Sequence, residues 1–391
     1  MATAVVDINK NRDAVKDNEV KNKTAKGRMD STLLVLTLGL VTIGLVMVFS
    51  ASFYFAKHNY GDSFHFIYRQ SIFAVLGVAA MLIISHIHYN ILKKLVYWIV
   101  GISIALMIVV LFMPTIKGVR RWIVVGGVGN FQPSEVAKFA IIVLFAFLIA
   151  ANYKKMGTFS YGVLPFITIL GVFAGLMILQ PHISGTVLIM AIGLLMMYIG
   201  GTKYRYFVFA LVVVAALVVG LVLFKGIDYV QARLTSWTDP FSDITNTTHQ
   251  SYQSLLTIGS GGFFGVGLGN SQQKWLYLPE PQNDFIFSVV CEELGFLGAA
   301  IIVILFMFFV FRGFVIASKA PDKFGMMLTV GIIGQIGIQT LLNIAVVTNS
   351  IPNTGISLPF FSYGGTALLM QLAQIGIVLN ISRHARMNMN N

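Results

Sequence analysis

The sequence predicts an all-α polytopic membrane protein with about ten spanning helices, both termini cytoplasmic, and one large extracellular loop between helices seven and eight. Two observations predict this. Of 391 residues, 57% are hydrophobic and 11% charged, whereas soluble domains carry about 25% charged residues. Uncharged apolar runs such as 33–56 and 324–348 exceed the roughly 18–20 residues needed to cross a bilayer. Ten spans are read near 33–56, 70–88, 95–113, 134–152, 161–180, 184–201, 205–224, 284–312, 324–348 and 362–382. An even count puts both termini on one side. With that side cytoplasmic, 18 of the 27 Lys and Arg residues lie there: seven in the tail, then Lys93, Lys94, Lys154, Lys155, Lys203, Arg205, Arg312, Lys319, Lys323, Arg383 and Arg386. That is the positive-inside pattern, and the net charge of +12 follows from it and from contact with anionic lipid. A nucleic-acid binder would gather its charge on a folded domain, and this chain does not.

Residues 1–30 are polar and basic and read as a disordered cytoplasmic tail rather than a cleavable signal peptide; 387–391 form a second, short tail. The membrane domain is 31–386. Its outer loop 225–283 carries Arg233, Trp237, a glycine-rich run from Gly259 to Gly269 and an acidic end. Its aromatic content (Tyr229, Phe241, Tyr252, Phe263, Phe264) predicts that it packs back on the helices. The glycine-rich run has neither a preceding strand nor a following Lys-Ser/Thr, so it is tight packing rather than a phosphate loop. Cys291 has no partner within the chain, which excludes an internal disulfide or a zinc cluster. The pair His86-x-His88 reads as interfacial.

"KWLYLPEPQNDFIFSVVCEELGF", residues 274–296, places Glu280 and Asp284 where the large loop enters span eight. Asp is a favoured helix cap, but the stiffening Pro279 and Pro281 and the flanking aromatics point to a site at a membrane-level cleft. Glu292 and Glu293 lie about 12 Å deeper on the same helix. A charge at that depth must be paired or hydrated, and for Glu293 capture by a partner is the expected role. "FQPSEVAK", residues 131–138, opens span four with Glu135 and Lys138 on one face, as a local ion pair or as a substrate contact. "KGVRRWI" sets Lys117, Arg120 and Arg121 outside, against the positive-inside trend. These cations suit either a phosphate clamp or headgroup anchoring. Gln335, Gln339 and Asn343 recur at i, i+4, i+8 and form a polar stripe on span nine, facing the interior. "IPNTGISLPFFSYGG", residues 351–365, breaks the helix between spans nine and ten at Pro352 and Pro359. Ser362 and Tyr363 either shape a groove open to lipid or belong to a rigid turn.

The stretch 351–365, with "RRWI", "QPSEVAK", "YLPEPQNDFIF", "EELGF" and "NIAVVTNSIP" in the same order, resembles the signature motifs of the SEDS proteins (shape, elongation, division and sporulation) from about residue 31 to 386. "QQKWLYLPEPQNDF" and "APDKFG" are closer to the division and sporulation branch. The resemblance implies ten membrane helices and a peptidoglycan glycosyltransferase that polymerises lipid II at the outer face of the bacterial plasma membrane. It also implies a class B penicillin-binding protein as transpeptidase partner, alongside other division proteins and membrane lipids. Residue by residue, the family's essential loop aspartate matches Asp284, its fourth-helix Glu and Lys match Glu135 and Lys138, and its arginine before tryptophan matches Arg121. One departure stands out. Where the family reads "QPDLGT", this chain has "QPHISGT", with His182 in the place of the acid.

Lipid II polymerisation joins a sugar hydroxyl to an anomeric carbon that bears a lipid diphosphate. A diphosphate leaves as a stable anion, so one base suffices, whereas glycoside hydrolysis uses two carboxylates. Asp284 is the expected general base. Arg120, Arg121, Lys138, Arg233 and Lys274 are the candidate cations for the departing diphosphate, with Glu280 beside the site. A divalent metal, Mg or Mn, is expected near Asp284; no nucleotide is needed. The rival expectations are a transporter that flips lipid II and a non-catalytic scaffold of the division machinery.

Overall fold

The computed structural model describes residues 27–115, 119–125, 129–208, 237–244, 248–275 and 277–385. Long apolar helices account for nine of the ten expected spans: α1 (Ser31–Tyr60), α2 (His65–Ile84), α3 (Ile91–Val109), α4 (Pro133–Asn152), α5 (Leu164–Leu179), α6 (Ile183–Ile199), α8 (Ile286–Ser318), α9 (Lys323–Val347) and α10 (Gly365–His384). A shorter helix, α7 (His249–Ser260), lies within the large loop. From residue 209 on, the expected seventh span 205–224 lies outside the described residues, as do residues 1–26 and 386–391. The chain is a multi-pass membrane protein.

Local chemistry sets the ends of the elements. Asp30 caps α1 by accepting from Leu33 N at 2.8 Å, and Gly61 in the left-handed region closes it. Asp30 also pairs with Arg312 of α8 at 2.6 Å, and Gly27 N donates to Arg383 O at 2.9 Å. The last residues of the expected tail are therefore docked on the bundle. Asp322 caps α9 through Gly325 N and pairs with Lys93 at 2.7 Å. Span two was expected at 70–88, but α2 begins at His65; His65, Arg69 and Gln70 lower the hydropathy of its first two turns. Among the described residues the architecture departs from all-α at one place, a hairpin of β1 (Ile123–Val125) antiparallel to β2 (Gly129–Phe131). Three β-branched residues in a row favour extended backbone there.

α4, α9 and α10 are the most enclosed spans, each with two thirds of its apolar window buried, against 22% for α2 and α3. Around α4 and α9 pack α3, α6, α8 and α10, while Trp98, Phe112 and Phe308 face outward to lipid. The described part of the large loop does pack back on the bundle. Ser254 of α7 bonds Val347 O at 2.7 Å, and Trp237 exchanges hydrogen bonds with Asn349.

The glycine-rich run descends alongside α8 to where that helix is broken at Gly295 (φ 68°, ψ −173°), about 13 Å below its first residue. The break frees the carbonyls of Glu292 and Glu293, and Val266 N and Gly267 N take them up at 2.9 and 3.0 Å. In the other direction, Phe296 N and Leu297 N donate to Gly262 O and Phe263 O. Irregular backbone at membrane depth is tolerated when its polar groups are met in this way. A Cβ on Gly295 would lie 2.2 Å from Gly265 N, so the two segments can touch only as glycines.

Candidate active site

Asp284 is not a helix cap: Phe285 holds that position, and Asp284 ends the strap, residues 270–284, that climbs from the loop to the start of α8. The main chain of residues 282–284 is clamped from three sides. Asn343 Nδ2, at the outer end of the α9 stripe, donates to Asp284 O at 2.7 Å and to Ile356 O at 2.6 Å. Ser362 Oγ donates to Asn283 O at 2.8 Å and accepts from Leu358 N at 2.7 Å. Tyr363 N donates to Gln282 O at 2.8 Å. The proline- and glycine-rich segment 351–365 is thus a wedge of fixed shape that holds residues 282–284. Gly44 of α1 admits it, because a Cβ there would meet Phe360 O at 2.3 Å. The Asp284 carboxyl is half-buried and faces Gly355, where an added Cβ would stand 3.2 Å from Oδ2. Glu280, at φ 48°, accepts from Asn283 Nδ2 at 2.9 Å.

A second polar group gathers at the same end of the bundle, between the start of α4 and the turn before α6. Lys138 pairs with Glu135 at 2.7 Å, both buried. Arg121 donates to Pro181 O, beside His182. Burial, then the charges of Arg121 and Lys138, push the His182 imidazole down to about 3, so it is neutral near pH 7. Ser134 Oγ, Glu135 Oε2 and His182 Nδ1 are buried without a hydrogen-bond partner among the described residues, as are both amide atoms of Gln335 on the α9 stripe. Buried polar atoms of this kind are met by water or ligand, which suits a polar site for a charged group.

The candidates therefore separate. Ser362, Tyr363, Glu280 and Asp284 come together on the strap and wedge; Arg121, Lys138 and Glu135 come together with His182. Arg120 is exposed and donates to Leu111 O at 2.9 Å. Arg233 lies outside the described residues. Lys274 corrects an expectation. It is 2% exposed, and its ammonium is taken up by Glu293 Oε1 at 2.9 Å, Gly269 O at 2.6 Å and Ser50 Oγ at 3.3 Å. Its three donors are spent inside the protein, so it is no diphosphate ligand; Glu293 has the captured partner expected of it. The sequence reading also missed Arg69 and Gln70. Gln70 bridges Ser362 O and Gly364 N. Arg69 hydrogen-bonds the Tyr363 phenol and works against the burial that raises its pKa. The signal that found Arg121, an arginine on the outer side, was present in Arg69 as well. Among the described residues, no cluster of three or more His, Cys, Asp or Glu could hold a metal by protein ligands alone. Asp284 and Glu280, four residues apart on the strap, are hard oxygen donors of the type that share a divalent ion with substrate phosphates.

Residues 31–387 match a family described as cell cycle proteins. The chain is 38% identical over 370 residues to the probable peptidoglycan glycosyltransferase FtsW of Geobacter sp. (strain M18), covering 91% of this chain and 97% of that one. It is 41% identical over 371 residues to stage V sporulation protein E of Bacillus subtilis (strain 168), covering 93% and 99%. Among solved structures, it is similar to a chain of a peptidoglycan synthase complex that coordinates polymerization and crosslinking (TM-score 0.77, 27% identity, 91% and 98% covered). It is also similar to the rod shape determining protein RodA of Thermus thermophilus (TM-score 0.66, 26% identity, 92% and 98% covered).

Proposed function

The chain belongs to the cell cycle protein family, the SEDS proteins, and on that premise we propose that it is a peptidoglycan glycosyltransferase that polymerises lipid II at the outer face of the bacterial plasma membrane, in division or sporulation septum synthesis. The observation that carries this reading is the half-buried Asp284 carboxyl, at the end of a segment whose three last carbonyls, on residues 282–284, are held by Tyr363, Ser362 and Asn343. A base held this way can meet an incoming hydroxyl with little reorganisation.

Asp284 accepts the proton of the acceptor sugar hydroxyl as that oxygen bonds to the anomeric carbon of the donor. The bond from that carbon to the diphosphate breaks, undecaprenyl diphosphate leaves with the electron pair, and the configuration inverts. Asp284 then returns its proton to water. Arg121 and Lys138 supply positive charge for the leaving group, and the Ser134 hydroxyl, without a partner among the described residues, can add a hydrogen bond. A divalent ion held by Asp284 and Glu280 would neutralise diphosphate charge. The substrate carries its own activation, so no nucleotide enters. The partner we infer is a class B penicillin-binding protein; the similarity to a chain of a synthase complex that couples polymerization to crosslinking supports it.

The test is glycan synthesis from purified lipid II by the chain in lipid nanodiscs, with and without that partner and with and without Mg or Mn. Asp284→Asn is expected to lower chain formation by about 10² or more while still binding the partner. An unimpaired variant removes Asp284 from the base role. A wild type that makes no glycan even with partner and metal overturns the enzymatic reading in favour of a scaffold or, if it moves lipid II between leaflets, a transporter.

A further inference from the structure

We infer that the buried Lys274–Glu293–Ser50 group is a latch at the foot of the strap, and that Lys274 acts as a positioning residue for Asp284. The strap leaves the glycine-rich turn, climbs, and becomes α8 directly after Asp284, so strap and first turns of α8 form a closed loop. At the foot of this loop, two adjacent residues of α8 grip the glycine-rich run with their main chain and the strap with their side chains. The carbonyls of Glu292 and Glu293 take Val266 N and Gly267 N. The Glu292 carboxylate takes Ser271 Oγ, and Gln272 N at 3.0 Å. The Glu293 carboxylate takes Lys274 Nζ at 2.9 Å and, through both oxygens, Ser50 Oγ of α1 at 2.7 Å. Lys274 and Glu293 are 2% and 1% exposed. At the head of the loop, Asn343, Ser362 and Tyr363 hold residues 282–284.

Between foot and head lie seven residues, 275–281, two of them prolines and one the fully buried Leu278. A short, proline-stiffened segment tied at both ends has little slack, so the seating of Lys274 sets the height of Asp284. The latch has two states and few between them. With Lys274 withdrawn, Glu293 is left as a buried charge with no cation, which is strongly unfavourable. Neutralising both partners removes that penalty and leaves the Ser50 and main-chain contacts to seat the strap.

This inference rests on Asp284 being the base, and the experiment separates the two. Lys274→Met, Glu293→Gln and the double variant are placed in nanodiscs. Hydrogen–deuterium exchange over 270–285 is measured beside kcat and KM for lipid II, with α9 and α10 as a check that the bundle is folded. Either single variant is expected to raise exchange over 270–285 at least tenfold and to lower kcat by on the order of 10²-fold, with KM within about twofold. The double variant is expected to recover most of both. Single variants with normal exchange and normal kcat overturn the latch. A double variant no better than the singles overturns it too, since the effect would then come from lost lysine chemistry or packing rather than from an unpaired charge. If Lys274→Met does not fold, Glu293→Gln and the double variant decide the question. Should the wild type make no glycan while exchange follows the expected pattern, the latch stands and the proposed reaction falls.

Discussion

His182 lies buried at the turn before α6, and its surroundings keep it a base without charge. Burial, Arg121 and Lys138 all disfavour the imidazolium. Because the folded value, about 3, lies below the ordinary 6.5, the unfolded chain binds a proton that the folded chain refuses between those limits. Stability from this residue is complete above pH 6.5 and is lost as pH falls toward 3, at about 1.4 kcal/mol per pH unit. His182→Gln should therefore flatten the fall in thermal midpoint between pH 7 and pH 5, a difference of about 2 kcal/mol at pH 5 readable by scanning fluorimetry. Ser362→Ala strips two hydrogen bonds from the joint between wedge and strap. The expected cost is about 1–3 kcal/mol in stability, with a larger fall in kcat than rise in KM if Asp284 loses its alignment. Asp284 and Ser362 were legible because each sits among prolines, glycines and hydrogen-bonding side chains that no spanning helix needs. The role of Lys274 was not legible: its partners are Glu293, nineteen residues on, and Ser50, on another helix, and only folding cancels its charge.

At the scale of elements, nine spans could be read because burial in lipid demands long uninterrupted apolar runs. The break in α8 could not. "EELGF" continues the apolar helix without a proline, and Gly295 is a break only because Gly265 of a distant segment lies against it. Gly295→Ala would place a methyl group against backbone at a positive φ. It is expected to destabilise by roughly 3 kcal/mol or more, seen as loss of folded protein on fluorescence size-exclusion chromatography. Ala299→Gly, a few residues further down the same helix, is expected to cost about 1 kcal/mol and keep the fold. The β1–β2 hairpin was missed for a simpler reason. Three-residue strands give too short a pattern for period-2 alternation to register.

For the whole molecule, the distribution of basic residues predicts which end faces the cell exterior, and the protein supplies a convenient test. Its single cysteine is buried, so introduced thiols can be labelled against a quiet background. On intact cells, an impermeant maleimide should label Tyr277→Cys, which is exposed on the strap, and not Lys319→Cys, which is exposed at the opposite end after α8. The reverse pattern would invert the topology. The clamp around Asp284 has a further consequence for the living cell. Asn343, Ser362 and Tyr363 all grip peptide groups, so nothing in their hold depends on the carboxyl group itself. An Asp284→Asn chain should keep its shape, take up the same station in the septal assembly, and do no work there. Produced alongside the intact protein, it should poison cell-wall growth in proportion to its dose, as a spoiled part does when it still fits the machine.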